Sequence, residues 1–363
     1  MKDSWSHSNP VRILAGSGSL KQLSQEVKAG RWLLVTTAGA TQRGMTNHIQ
    51  ELLPNVVELS ICDNITPNPE LDYLEQLTVQ YRKSRIYGLI AIGGGSVLDA
   101  AKVLSVTLPS QLATPLATSL RENKGQVWRQ SLPVIAIPTT SGTGAEVTSF
   151  ATVWDQTSHQ KYSVISDLVY PYLALLDPTL TLSLPCEETL YTGLDAVSHA
   201  LESLWNVNRT PVSQSFSVRS LELAVTTLPK VLEDLNNVQA RAAMQQSSVL
   251  AGLAISQTRT AIAHSISYPL TSFFGVPHGL ACSFTLPKLI DHYLAARPLF
   301  EFAELMRRAQ VMLTDLELQE NLWRYVDAQQ VLKLQDKMLH PDRATHFDAP
   351  IDSSILKDLL CNA

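Results

Sequence analysis

The sequence predicts a fold of two parts, an α/β domain with a mostly parallel sheet followed by an all-helical domain. In the first half of the chain, short β-branched runs alternate with amphipathic helical stretches, which is typical of a parallel sheet covered by helices. Glycine-rich segments follow two of these runs, where strand-to-helix turns are expected. From about Cys186 onward the strand-like runs disappear, and long patterns rich in Ala, Leu and Ser take over. These observations place the two domains at residues 1–184 and 185–363.

The individual elements follow from the spacing of the apolar residues. Strands are predicted where short runs of apolar and β-branched residues occur, at residues 31–37, 56–62, 87–92 and 134–137. Helices are predicted where the apolar residues have a helical period, at residues 41–53, 71–83, 97–105, 211–232 and 238–255.

The composition excludes several classes of function. A net charge of −5 does not provide the basic surface of a general nucleic-acid binder. The polar segment MKDSWSHSNP lacks the apolar core of a signal peptide, and no apolar run approaches membrane-spanning length. The cysteines form no CxxC pair, which is typical of reduced thiols: Cys62, Cys186, Cys282 and Cys361. We therefore expect a cytoplasmic protein without nucleic-acid or membrane partners.

Two glycine-rich loops are candidates for binding a phosphorylated cofactor. The segment GGGSVLDAAK (residues 93–102) follows a predicted strand and begins a helix, so its backbone N–H groups can bind a pyrophosphate. The alternative is a tight turn without a ligand. The segment PTTSGTGAEVT (residues 138–148) follows the strand VIAI, and its alternative is an ordinary capping turn. Parallel sheets bind ligands at such turns, and the second loop carries hydroxyls that suit ribose and phosphate oxygens: Thr139, Thr140, Ser141 and Thr143.

The segment GLDAVSHALES contains a candidate metal-binding pair. Asp195 and His199 are four residues apart in a helix-favouring context, so their side chains lie on one helix face. The alternative for such a pair is a surface hydrogen bond. Downstream, HSISYPLTSFFGVPHG supplies His264 and His278, which would complete a set of four ligands. Three imidazoles and one carboxylate suit Fe²⁺ or Zn²⁺ better than Mg²⁺ or Ca²⁺.

Together with LLDPTLTLSLP, these four motifs make the chain resemble the iron-containing (group III) alcohol dehydrogenases from about residue 10 to 290. The resemblance implies a Rossmann-like N-terminal domain, a helical C-terminal domain, and a cleft between them that holds NADH or NADPH and one Fe²⁺ or Zn²⁺ ion. It also implies a homodimer. It assigns the metal to Asp195, His199, His264 and His278.

By the same resemblance, the pyrophosphate would contact Gly94, Gly95 and Ser96, with Asp99 in the same motif, and the nucleoside would contact Thr139, Thr140 and Thr143. Lys161 would lie near the nicotinamide ribose, and Lys161 and Tyr268 are the candidate catalytic side chains.

The chain departs from the family pattern at two positions. Many members have a histidine four residues after the third metal ligand, and here that residue is Tyr268. Tyr268 either takes part in proton transfer or packs beside Pro269. Members that prefer NAD commonly have an acidic residue after the strand LLVTT, whereas this chain has Thr37. Since a threonine does not repel a 2′-phosphate and Arg43 is nearby in sequence, we expect NADPH to be accepted and even preferred.

The segment around His264 bears on the substrate. Thr258 and Arg259 precede it in a run that resembles a branch of the family reducing phosphonoacetaldehyde to 2-hydroxyethylphosphonate, a step of phosphonate biosynthesis. Arginine suits bidentate phosphonate contacts, although Arg259 has the alternative of a surface salt bridge or helix cap. A general primary-alcohol or aldehyde dehydrogenase remains an alternative function, and a dehydroquinate synthase-like lyase is disfavoured by the scarcity of basic residues.

Overall fold

The chain forms two compact units in the computed structural model, which describes residues 4–125, 127–158 and 160–361. The α/β unit contains Pro10–Thr140 and Ala145–Thr181. The helical unit contains residues 4–9, Ser141–Gly144 and residues 182–361. The short segment Ser141–Gly144 therefore belongs to the helical unit, although it lies between two strands in sequence.

The α/β unit contains the strands that the structure describes. Among the described residues they are β1 (Arg12–Ala15), β2 (Gly30–Val35), β3 (Val57–Cys62), β4 (Ile86–Gly93), β5 (Val134–Pro138), β6 (Phe150–Asp155), β7 (Gln160–Ile165) and β8 (Leu173–Leu176). Within those residues, six strands form one sheet in the order β1-β8-β5-β4-β2-β3, and every neighbouring pair is parallel. Strands β6 and β7 form a separate antiparallel hairpin.

Helices of the same unit connect the strands and cover the sheet. They are α1 (Leu23–Glu26), α2 (Ala38–Gln42), α3 (Met45–Leu52), α4 (Leu71–Tyr81), α5 (Gly95–Thr107) and α6 (Pro115–Leu120). Successive side chains of the central strands enter opposite cores, because side chains alternate across a strand. One face buries Leu33, Val35, Leu89 and Ala91, and the other buries Trp32, Leu34, Ile90 and Ile92. Burial on both faces explains why these strands read as continuous apolar runs.

The helical unit follows from α7 onward. Its helices are α7 (Cys186–Leu204), α8 (Pro211–Glu233), α9 (Val238–Thr258), α10 (Ile262–Phe274), α11 (His278–Ala281), α12 (Leu286–Ala296), α13 (Ala303–Asp315), α14 (Leu318–Leu322), α15 (Ala328–Lys333), α16 (Pro341–Ala344) and α17 (Ser353–Cys361). Helices α7, α8 and α9 pack against one another around a core that includes Leu201, Leu221 and Ala251. Short 3₁₀ helices occur in both units, at Ser19–Gln22, Arg82–Ser84, Ala145–Val147, Asp167–Val169, Pro178–Thr181 and Gln335–Lys337.

The predicted fold class of a parallel sheet domain followed by a helical domain is confirmed. The predicted helix at residues 41–53 is wrong in detail, since Gly44 has a φ of 82° and separates α2 from α3. Strands β1 and β8 and the hairpin of β6 and β7 were not predicted from the sequence. None of the helices in the described part of the chain has the length and apolar character needed to span a membrane.

Candidate functional site

Helix α7 carries the first two predicted metal ligands. Asp195 and His199 are both nearly fully buried on this helix, in spite of their polarity. The Oδ1 atom of Asp195 lies 3.5 Å from Nε2 of His199. The spacing of four residues therefore brings the two side chains together as the sequence predicted, but in the interior of the helical unit and not on its surface.

The other two predicted ligands reach the same carboxylate oxygen. His264 lies in the first turn of α10, and His278 is the first residue of α11. The Nε2 atoms of His264 and His278 lie 3.5 Å and 3.8 Å from Oδ1 of Asp195. The ring of His264 stacks on that of His199 with centroids 4.8 Å apart, and it meets the ring of His278 edge-on at 5.1 Å. The structure thus brings all four predicted side chains together.

Cys282 also lies at this cluster, although the sequence predicted only a reduced thiol at this position. Its buried Sγ is 3.7 Å from Oδ1 of Asp195. One ligand atom each of Asp195, His264, His278 and Cys282 lies within 4.8 Å of the others. The signal in the sequence was its position four residues after His278, which places both on one side of a helical turn.

The position of His278 depends on a close approach between the backbones of α11 and α7. The neighbouring Gly279 packs directly against α7, and a Cβ at this position would lie 1.7 Å from the carbonyl oxygen of Tyr191. No side chain larger than hydrogen fits there. The His-Gly pair of the sequence motif therefore combines a predicted ligand with the residue that lets α11 approach α7.

Hydrogen bonds made by the Nδ1 atoms orient two of the imidazoles. Nδ1 of His199 lies 3.3 Å from the carbonyl oxygen of Gly142, and Nδ1 of His264 lies 2.5 Å from Oε2 of Glu202. Since both partners are acceptors, each Nδ1 carries the hydrogen and each neutral ring has its lone pair on Nε2. The Nε2 atom of His264 is buried and has no hydrogen-bond partner among the described residues. An unpartnered imidazole nitrogen beside a buried carboxylate fits a borderline divalent cation.

The electrostatics of the cluster also suit a cation. Burial acts to raise the pKa of Asp195, but the imidazoles of His199, His278 and His264 hold that pKa well below its usual range. Burial lowers the pKa of His199. Burial acts in the same direction on His264, but Glu202 and Asp195 raise the pKa of His264 to about 10. Negative charge that stabilises a proton at this ring would equally stabilise a metal ion at Nε2.

The first residues of the two predicted phosphate-binding turns lie side by side in the α/β unit. Strand β4 ends at Gly93, α5 begins at Gly95, and β5 pairs with β4 in parallel. The backbone N–H of Thr139 donates to the carbonyl oxygen of Gly93 at 3.0 Å. A Cβ at Gly94 would lie 3.4 Å from the side chain of Thr140. Both turns therefore sit at the carboxyl ends of adjacent strands, the usual ligand-binding edge of a parallel sheet.

The remaining predicted cofactor residues have varied surroundings. Oδ2 of Asp99 accepts from the N–H of Thr152 at 2.8 Å, and Oγ of Ser96 accepts from the N–H of Asn68 at 3.2 Å. Both side chains thus already have structural partners.

Lys161 lies in β7, with Nζ 5.6 Å from the centroid of the Trp154 ring. Thr37 is the N-cap of α2, where its Oγ1 accepts from the N–H of Ala40. Thr143 belongs to the segment assigned to the helical unit.

The predicted substrate residues lie where α9 ends. Thr258 is fully buried, and its hydroxyl donates to the carbonyl oxygen of Arg259 at 2.9 Å. Arg259 is half-buried and has φ 66° and ψ 174°, a region that is almost reserved for glycine. Asn206 holds this backbone by donating to the same carbonyl oxygen at 3.1 Å. Tyr268 lies one helical turn after His264 in α10 and is also half-buried.

Known proteins match the chain over nearly its whole length. The family model described as iron-containing alcohol dehydrogenase matches residues 10–178. The model of the C-terminal part of the Fe-containing alcohol dehydrogenase family matches residues 189–350. The chain belongs to the iron-containing alcohol dehydrogenase family. Members of this family are alcohol dehydrogenases and aldehyde reductases that use NAD(P) and one metal ion.

Individual family members are similar in sequence and structure. A sulfoacetaldehyde reductase of Bilophila wadsworthia is 31% identical over 296 residues, which cover 80% of this chain and 76% of the relative. A choline dehydrogenase of Bacillus subtilis is 27% identical, with 92% of this chain and 85% of the relative covered. The crystal structure of a sulfoacetaldehyde reductase from Bifidobacterium kashiwanohense in complex with NAD⁺ matches with a TM-score of 0.88, 25% identity and 99% of both chains. The predicted oxidoreductase activity and the predicted cofactor classes are confirmed.

Proposed function

We propose that this protein reduces a small anionic aldehyde to a primary alcohol with NADPH, and that the aldehyde is phosphonoacetaldehyde and the product 2-hydroxyethylphosphonate. The observation that carries the proposal is the convergence of Asp195, His199, His264 and His278 on one point of the helical unit. These residues would hold the metal ion. A bound Fe²⁺ or Zn²⁺ supplies Lewis acidity at the carbonyl oxygen, and the nicotinamide supplies the hydride.

The protein's own side chains have two further tasks in this reaction. The carbonyl carbon gains a hydride and its oxygen gains a proton, so one aldehyde, one NADPH and one proton give one alcohol and one NADP⁺. Tyr268 is the candidate to hold that proton, because it lies one helical turn from His264 and is half-buried. The hydride comes from the nicotinamide cofactor. We expect this cofactor to contact Gly94, Gly95, Ser96, Thr139 and Thr140.

Arg259 is the candidate for binding the anionic group of the substrate. Its backbone conformation costs on the order of 1–3 kcal/mol and persists only because surrounding groups hold it. Strain of this kind at a non-glycine residue is typical of functional sites, and Arg259 precedes the ligand His264 by five residues. The relatives named sulfoacetaldehyde reductase support an anionic aldehyde, since a sulfonate and a phosphonate are both tetrahedral anionic groups. Thr258 has its hydroxyl engaged by the backbone, so we give it a supporting role at Arg259.

A substrate panel tests the proposal. We expect kcat/KM for phosphonoacetaldehyde to exceed that for propanal at least tenfold, because a charge-assisted hydrogen bond contributes about 1.5–3 kcal/mol. Sulfoacetaldehyde in the same panel shows whether the enzyme prefers a phosphonate or a sulfonate. A preference for propanal over both would favour the second candidate, a general primary-alcohol dehydrogenase, which a relative named 1-propanol dehydrogenase at 32% identity supports.

Two variants test the role of the arginine. Arg259→Gly removes the guanidinium and suits the backbone conformation, so it separates the loss of an anion contact from the loss of the fold. We expect it to raise KM for phosphonoacetaldehyde about 10–100-fold while KM for propanal stays unchanged. Arg219→Ala is the matched control, because Arg219 is exposed on α8 and pairs with Glu222. An unchanged KM for phosphonoacetaldehyde in Arg259→Gly would refute the anion contact.

The homodimeric state and cytoplasmic location expected from the sequence stay predictions.

A further inference from the structure

Glu202 is a fully buried carboxylate next to the proposed metal ligands. It lies on α7, seven residues after Asp195 and three after His199, which places it on the same side of the helix. Its Oε1 accepts from the backbone N–H groups of Ala263 at 2.6 Å and His264 at 3.2 Å. Its Oε2 lies 2.5 Å from Nδ1 of His264. A buried carboxylate that accepts from three donors is well compensated and has a fixed position.

The two bonds to backbone N–H groups have a structural explanation. Helix α10 begins after Ala261, which provides no side-chain cap. Oε1 of Glu202 supplies the missing acceptor from a neighbouring helix. A neutral amide oxygen could do the same, so capping alone does not require a carboxylate. The bond from Oε2 to the imidazole needs a separate reason.

That reason lies in the other nitrogen of the ring. With the hydrogen on Nδ1, the lone pair of a neutral His264 is on Nε2. This Nε2 is buried, has no hydrogen-bond partner in the described part of the chain, and lies 3.5 Å from Oδ1 of Asp195. His199 differs, because its Nδ1 bonds to the neutral carbonyl of Gly142. Of these two imidazoles, only His264 has a carboxylate at Nδ1, which makes it the stronger electron donor.

We propose that Glu202 is a positioning residue, which holds the His264 imidazole as the Nδ1–H tautomer and in the orientation that presents Nε2, beside Asp195, to a divalent metal ion. This inference rests on the ligand set of the proposed function. It adds that the affinity of the set depends on a residue that does not touch the metal.

The decisive variant is Glu202→Gln. Its amide oxygen can still accept from the backbone of α10, but its NH₂ group would face Nδ1 and favour the opposite tautomer, with hydrogen on Nε2. We expect the affinity for Zn²⁺, measured by competition with a chelating dye, to fall about 10–100-fold. Glu188→Gln is the matched control, because Glu188 lies exposed on the same helix. A Glu202→Gln protein that binds Zn²⁺ as tightly as the wild type would overturn the inference and leave the ligand set intact.

An NMR spectrum of the wild type provides an independent test, even if Glu202→Gln does not fold. In Zn²⁺-loaded protein with ¹⁵N-labelled histidine, we expect the His264 ring to show a metal-bound Nε2 and a strongly deshielded proton on Nδ1. His264→Asn identifies the resonance. A metal-bound His264 without a proton on Nδ1 would overturn the role of Glu202. A His264 ring that does not respond to Zn²⁺ would overturn the proposed ligand set as well.

Discussion

Glu146, in the α/β unit, makes the stability of the protein depend on pH. It lies in the motif PTTSGTGAEVT with only 2% of its surface exposed. Burial raises the pKa of Glu146 from 4.5 to about 7. In the unfolded chain the carboxyl ionises at its usual pKa, so between these two values folding must take up a proton. The stabilisation is therefore complete below about pH 4.5 and is lost as the pH rises through about 7.

The size of the effect follows from the shift. One pKa unit corresponds to about 1.4 kcal/mol, so a shift from 4.5 to about 7 amounts to roughly 3 kcal/mol at full ionisation. Between pH 5 and pH 8 the expected loss is about 2.5 kcal/mol, because part of the loss has already occurred at pH 5. For a chain of 363 residues this corresponds to about 3 °C in Tm.

The assay compares the wild type with Glu146→Gln, which keeps the shape of the side chain and cannot ionise. We expect the Tm of the variant relative to the wild type to rise by about 3 °C from pH 5 to pH 8 in scanning calorimetry. Glu51→Gln is the control, because Glu51 is exposed on α3 and its charge stays in water. If the difference between Glu146→Gln and wild type is the same at both pH values, the carboxyl does not titrate in this range and the reasoning is wrong.

Two further predictions concern the metal centre and the cofactor. Gly279→Ala would place a Cβ 1.7 Å from the carbonyl oxygen of Tyr191, so α11 must move away from α7. We expect a loss of about 3 kcal/mol in stability, seen as a lower Tm, and weaker Zn²⁺ binding. Wild-type values of both would contradict the close approach. Arg43 is exposed, with Nη1 3.1 Å from the position of a Cβ at Gly39 in α2. We expect Arg43→Ala to lower kcat/KM for NADPH about tenfold and to leave NADH unaffected; a wild type that strongly prefers NADH would refute this prediction.

Local patterns in the sequence predicted the fold class and half of the site. The spacing of Asp195 and His199 was enough to pair them, because one helical turn determines that geometry. Spacing could not show that His264 and His278 reach the same oxygen, since this depends on how α10 and α11 pack on α7. The resemblance to a family supplied that part of the prediction.

Other features depend on packing and had no local signal of sufficient strength. Glu202 and Cys282 are ordinary residues of helical segments until tertiary structure places them beside Asp195. Strands β1 and β8 have four residues each, too short for a clear pattern. The helix predicted at residues 41–53 breaks because Gly44 adopts a left-handed conformation that an apolar pattern does not reveal.

The most direct test is an anomalous diffraction experiment on crystals of the Zn²⁺-loaded protein. We predict a single Zn²⁺ ion per chain, at about 2.0–2.2 Å from a carboxylate oxygen of Asp195 and from Nε2 of His199, His264 and His278. An ion bound through Sγ of Cys282 in place of His199, or no ion at these side chains, would contradict the proposed metal centre.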